Sequence, residues 1–140
     1  MYQRNLQLGL SSRYLLGTGM VYNAIMKPNC QLYLFSGGVI TTEKTTDKQS
    51  YGRFEIPFLL SLDIYNLGNS DLSLNHIQTL YVGTGANKRI RHDGELRLNF
   101  KLTNKLSLTS YLYDNYDSAP VVPTAGNLDY GWSTGLKYGF

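Results

Sequence analysis

The chain has 140 residues, 42% of them hydrophobic and 16% charged, with a formal net charge of +3. That length suits one domain over residues 1–140, and that composition excludes a disordered chain. The mild positive charge gathers into no long basic face, so nucleic acid is not an expected partner, and a single cysteine, Cys30, excludes an intrachain disulfide.

Twelve Tyr and 14 Gly point to an all-β chain. Period-two alternation, not helical periodicity, recurs from end to end. Leu6 and Leu8 open a weak pattern. Tyr14, Leu16, Thr18, Met20, Tyr22 and Ala24 then share one parity, and "MKPN" (26–29) breaks the run as a turn. "CQLYLFSGGVITT" (30–42) reads as a strand and "EKTTDKQS" (43–50) as a polar loop. Phe54, Ile56, Phe58, Leu60, Leu62 and Ile64 share a face, and "NLGNSD" (66–71) is turn chemistry. Leu72, Leu74, His76, Gln78, Leu80 and Val82 follow, then "TGANKRIRHDG" (84–94), a basic loop. Leu96, Leu98, Phe100 and Leu102 precede the tight turn "TNK". Leu106, Leu108 and Leu112 lead through "YLYDNYD" to the loop "SAPVVPTAGN" (118–127) and a closing strand, "LDYGWSTGLKYGF".

The pattern predicts an antiparallel up-and-down meander of seven strong strands and one weak N-terminal strand. Short turns alternate with longer polar loops, as in transmembrane barrels. Pro57 sits mid-strand, where it cannot donate to the ladder, so a bulge or an edge is expected there. "MYQRNLQLGL" has no apolar run after its charge, so this stretch carries no signal peptide and reads as a mature or N-terminally truncated form.

Alternation alone leaves open which face is wet. A soluble barrel or sandwich binding an apolar ligand packs its apolar parity inward, and a membrane barrel turns it outward. Three details favour the membrane barrel. The patterned runs match the 9–11 residues a transmembrane strand needs, not the 5–6 usual in globular strands. Tyr130 and Trp132 stand at one end of the closing strand, Tyr138 and Phe140 at the other. Eight residues at about 3.3 Å rise and about 45° tilt span about 19 Å, near the spacing of interfacial aromatic girdles. The opposite parity mixes Gly and Ser with both signs of charge, which suits a narrow lumen.

"RYLLGTGMVYN" (13–23), "YDNYDSAP" (113–120) and "LDYGWSTGLKYGF" (128–140) resemble the family of YdiY-like salt-induced outer-membrane proteins, a domain of unknown function. The resemblance covers most of the chain and fits that family's C-terminal portion. It implies a bacterial outer-membrane β-barrel, with more strands than the eight visible here if the family barrel is larger. It also implies that the terminal aromatic Phe140 serves as the recognition signal for the barrel assembly machinery. Outer-membrane lipids and lipopolysaccharide are the other implied partners. No catalytic residue carries over from the family.

Seven charges fall on the luminal parity: Glu55, Asp63, Glu95, Arg97, Lys101, Asp129 and Lys137. Unpaired charges in a narrow lumen are costly, so they are expected to pair in a plugged interior. Lys88, Arg89 and Arg91 fall in the predicted basic loop, where they can meet lipopolysaccharide phosphates. His76, with Ser110 as its sole candidate partner, is the one constellation that could serve a lipid A deacylase, although its local sequence does not resemble that enzyme family. An interfacial histidine is the preferred reading of it. Asp114, Asp117 and Asp129 surround the last loop without the spacing of a calcium motif. Cys30 reads as a small buried or lipid-facing residue, and neither a metal nor a cofactor is expected. The sequence therefore predicts a non-catalytic, envelope-related barrel.

Overall fold

A computed structural model describes residues 2–5, 10–45, 49–67, 71–85, 88–120 and 126–139. Eight strands form a single sheet in chain order, a four-residue β1 followed by seven long ones. They are β1 (Tyr2–Asn5), β2 (Leu10–Lys27), β3 (Cys30–Thr45), β4 (Ser50–Ile64), β5 (Leu72–Gly83), β6 (Ile90–Lys101), β7 (Leu106–Asp117) and β8 (Leu128–Tyr138). Every neighbouring pair is antiparallel. The expected meander is present, and no α-helix occurs among the described residues. Leu6 and Leu8, the expected core of the weak first strand, lie outside the described residues.

The two largest differences in loop boundary fall at β3 and β6. β3 runs on to Thr45, so Glu43 and Lys44 belong to a strand. β6 begins at Ile90, so Arg91 through Gly94 also belong to a strand. Polar residues masked both extensions, although each continues the alternation of its neighbour. At the "NLGNSD" turn, Asn66 adopts φ 54°, a left-handed conformation that Asn tolerates better than most side chains.

Pro57 corrects a further expectation. It lies in a central strand, buried, and paired with Tyr81 of β5 without a register shift. On its other side the β3–β4 ladder keeps its register but skips Gly37 and Gly38, opposite Ile56 and Pro57. The missing proline N–H is absorbed by a gap in the ladder instead of a bulge. On the β2 side Gly37 is tightly seated: a Cβ there would lie 2.6 Å from the Cα of Gly19. The described bulges fall on the first strands, including the β2–β3 shift between Asn23 and Ile25.

The sheet is not closed among the described residues, since β8 pairs only with β7. It is nonetheless strongly curled, as part of a barrel would be. Arg89, just before β6, hydrogen-bonds both Glu43 of β3 and Asp117 of β7 across the concave side. The curl hides polar residues. Among the described residues the buried hydrophobics are Val39 and Tyr81, while Arg13, Thr41, Glu43, Glu55, Thr79, Arg89 and Arg91 are all buried. The interior is polar where a soluble domain of this length would place an apolar core.

Candidate functional site

The outer face is built from the apolar parity. On β2, Leu16 is 78% exposed and Met20 84% exposed, with Tyr14, Tyr22 and Met26 beside them. Ile40, Phe54, Phe58, Leu80, Ile90, Phe100 and Leu112 continue this surface across β3 to β7. On β8, Tyr130 and Trp132 are exposed near one end and Tyr138 near the other, with Leu136 between. The Trp132 indole N–H donates to Ser110 Oγ at 2.8 Å. Phe140, expected as an interfacial aromatic and as the assembly signal, lies outside the described residues.

The inner face carries an ion-pair network near the rim of the longer loops. Arg13 Nε donates to Glu43 Oε1 at 2.8 Å, and Arg89 Nη1 donates to Glu43 Oε2 at 2.8 Å. Arg89 also grips Asp117 through Nε and Nη2, a bidentate pairing that fits a planar guanidinium. A second group adjoins the first: Arg91 donates to Glu55 through Nε at 2.9 Å and Nη2 at 2.5 Å. Thr41 Oγ1 donates to Glu55 at 2.6 Å, and the Arg91 guanidinium stacks 4.4 Å from the Tyr81 ring centroid. Glu43 and Glu55 are both 0% exposed. Three guanidiniums thus meet three carboxylates, and no buried side-chain nitrogen or oxygen among the described residues lacks a partner. This arrangement lets charge be buried without a large net penalty. Burial opposes the Arg89 charge, yet the bonds and charges of Asp117 and Glu43 hold its pKa above the ordinary guanidinium value.

The structure redistributes the residues singled out by sequence. Glu55 is luminal and paired as expected. Asp63 accepts from Asn75 Nδ2 at 2.6 Å, and Arg97 lies 5.4 Å from the Tyr111 ring centroid. Glu95 stands opposite Tyr113, and Asp129 stands opposite Asn115. Lys101 and Lys137 are exposed. Of the expected lipopolysaccharide contacts, Lys88 is exposed, but Arg89 and Arg91 turn inward into the network, and Arg91 is not in a loop at all. Arg13, Glu43 and Asp117 complete the network and were not foreseen as luminal charges. Their parity was the available signal: Glu43 continues the alternation of Val39 and Thr41.

The His76–Ser110 pairing is not formed. His76 Nδ1 lies 3.1 Å from the Glu95 carbonyl oxygen, two strands away from Ser110, whose hydroxyl takes the Trp132 N–H. At about 4.8 Å between strands, that is about 10 Å of lateral separation. The three aspartates do not converge either: Asp117 joins the inner network, whereas Asp114 meets His92 on the outer face.

The family model described as "Protein of unknown function, DUF481" matches residues 1–140. The chain belongs to this family. No curated protein and no solved structure matches it. The DUF481 chain thus combines a curled antiparallel sheet, an apolar outer face and an inner face with a buried, paired charge network at its long-loop end. The resemblance drawn from its three sequence segments and the family match agree.

Proposed function

We propose that this DUF481 chain is part of a bacterial outer-membrane β-barrel with a plugged lumen and an envelope-related, non-catalytic role. One observation carries the reading. The apolar parity is exposed, while Arg13, Glu43, Glu55, Arg89 and Arg91 on the inner side are buried and paired. In water this arrangement would be inside out, exposing Leu16, Met20 and Trp132 at three-quarters or more of their area, or close to it, and hiding three arginines. In a bilayer it is the expected one.

Strand dimensions support the same reading. The long strands have 11 to 18 residues. At about 3.3 Å rise and about 45° tilt, 11 residues cross about 26 Å, close to the apolar band of such barrels. Tyr130 and Trp132 would mark one interface and Tyr138 the other. The Arg13–Glu43–Arg89–Asp117 and Arg91–Glu55 groups would fill the lumen at the long-loop end, obstructing a wide aqueous path.

The test is folding into lipid. Protein refolded in detergent or vesicles should migrate faster on SDS gels unheated than boiled, and should resist protease across its strands. A monodisperse, detergent-free monomer in buffer would sink the proposal.

A further inference from the structure

The outer face is not uniformly apolar. Gln78 on β5, His92 on β6 and Asp114 on β7 form a polar chain around Gly94. Gly94 lies directly between Gln78 and Asp114 in the ladder, and His92 precedes it by two residues on the same face. Asp114 folds over Gly94, and a Cβ at that glycine would collide with its carboxylate. The missing side chain therefore seats the aspartate against the histidine. His92 Nδ1 lies 2.8 Å from Asp114 Oδ2, and His92 Nε2 lies 2.9 Å from Gln78 Nε2. A carboxylate facing Nδ1 puts the imidazole proton there, which leaves Nε2 to accept from the Gln78 amide. That amide carries a second N–H, the donor a carbonyl oxygen needs.

Gln78 and His92 also line one end of an open groove of about 850 Å³, a volume within the range of ligand sites. Its walls are apolar: Met20, Leu34, Phe58, Leu60 and Leu80. Met20, Ser36, Phe58, Leu80 and His92 form one row across five strands. At about 4.8 Å per strand the row extends about 19 Å, the reach of a long acyl chain. The small Ser36 keeps the row low between Met20 and Phe58. An ionisable pair on a lipid-facing surface is costly and calls for a job.

We propose that this groove is a specific phospholipid site, with an acyl chain along the Met20–Leu80 row and its ester carbonyl accepting the second N–H of the Gln78 amide, which His92 orients. The inference rests on the membrane reading above, because a groove opening on the lipid face draws its occupant from the bilayer. Asp114 is a positioning residue that fixes the His92 tautomer and, through it, the Gln78 amide.

The experiment uses the full chain folded into phosphatidylethanolamine and phosphatidylglycerol vesicles, extracted into mild detergent and examined by native mass spectrometry. The wild type should carry bound phospholipid. Gln78→Leu, His92→Leu and Asp114→Leu together should lower retention at least tenfold while folding normally, since all three changes suit an apolar face and leave no carboxylate unpaired. Gly94→Ala should lower it several-fold by displacing Asp114. Leu136→Ala, on the same face but outside the groove, should leave it unchanged. Diether phospholipids, which lack the ester carbonyl, should be held several-fold less tightly than diesters. Failure to enter vesicles would sink the membrane reading itself. Normal insertion with no bound lipid, or with retention indifferent to Gln78 and His92, would overturn the site alone. Equal retention of diether and diester lipids would overturn the ester contact.

Discussion

The two ends of the concave face solve the same problem in different ways. At the long-loop end, charge is concentrated: Arg13, Glu43, Arg89, Asp117, Arg91 and Glu55 interlock. At the short-turn end, the contacts are mostly single hydrogen bonds. Asn75 donates to Asp63, Thr109 donates to Asn99, and Tyr33 donates to Gln31, while Lys101 and Lys137 stay exposed. A network in which each carboxylate serves two donor groups resists local change, because no member can leave without stranding another. A row of separate bonds has no such coupling. The difference teaches that the interior is held from one end.

The largest expected effect follows from breaking the charged end at Glu43, which joins Arg13 to Arg89. Glu43→Gln removes the carboxylate that two buried guanidiniums share and should cost about 3–5 kcal/mol of unfolding free energy. Urea unfolding of vesicle-folded protein measures it. A loss below about 1 kcal/mol would mean the network does not hold that end. Replacing Arg91 and Glu55 together, by Met and Leu, should cost far less than Glu55→Gln alone, because removing both charges strands neither.

The contrast between faces gives the next effect. Leu112 is outward near the middle of β7, whereas Ser133, on the adjacent strand, is on the inner parity. Leu112→Arg should cost about 2–4 kcal/mol in vesicles, and Ser133→Arg close to nothing. Equal penalties at the two positions would erase the inside–outside distinction on which the functional reading depends. At the short-turn rim, Asn66→Ala should cost about 1 kcal/mol, because alanine resists the left-handed φ of 54°. Asn66→Gly should be near neutral in the same denaturation series.

Much of this comparison was legible in the sequence. Alternation located the seven long strands, and Gly, Asn and Pro located the turns, because side-chain direction in a strand has a fixed period of two. That Tyr130, Trp132 and Tyr138 share one face followed from the same parity. The charged end was not legible. Glu43 and Arg89 are 46 residues apart, and only the curl of the sheet brings them together. Polar residues at strand ends read as loop, so Glu43 and Arg91 were placed in loops that begin or end elsewhere. Pro57 was misjudged for a related reason: its accommodation depends on Gly37 and Gly38 of another strand. The outer His92–Asp114 pair was hidden too, since a period-two reading gives a residue its face but not its diagonal neighbour.

The smallest predicted effect is the most discriminating one for the short-turn end. Asp63→Asn removes a charge from the luminal parity, as Glu43→Gln does, but it should cost less than about 1 kcal/mol. The new amide keeps an oxygen that accepts the Asn75 N–H, and Asp63 is half-buried rather than enclosed. Its urea midpoint should therefore shift by a small fraction of the Glu43→Gln shift, with the same slope. If Asp63→Asn instead matched Glu43→Gln, the two ends of the interior would be equally coupled, and the ion pairs at the long-loop rim would not be what holds the sheet curled.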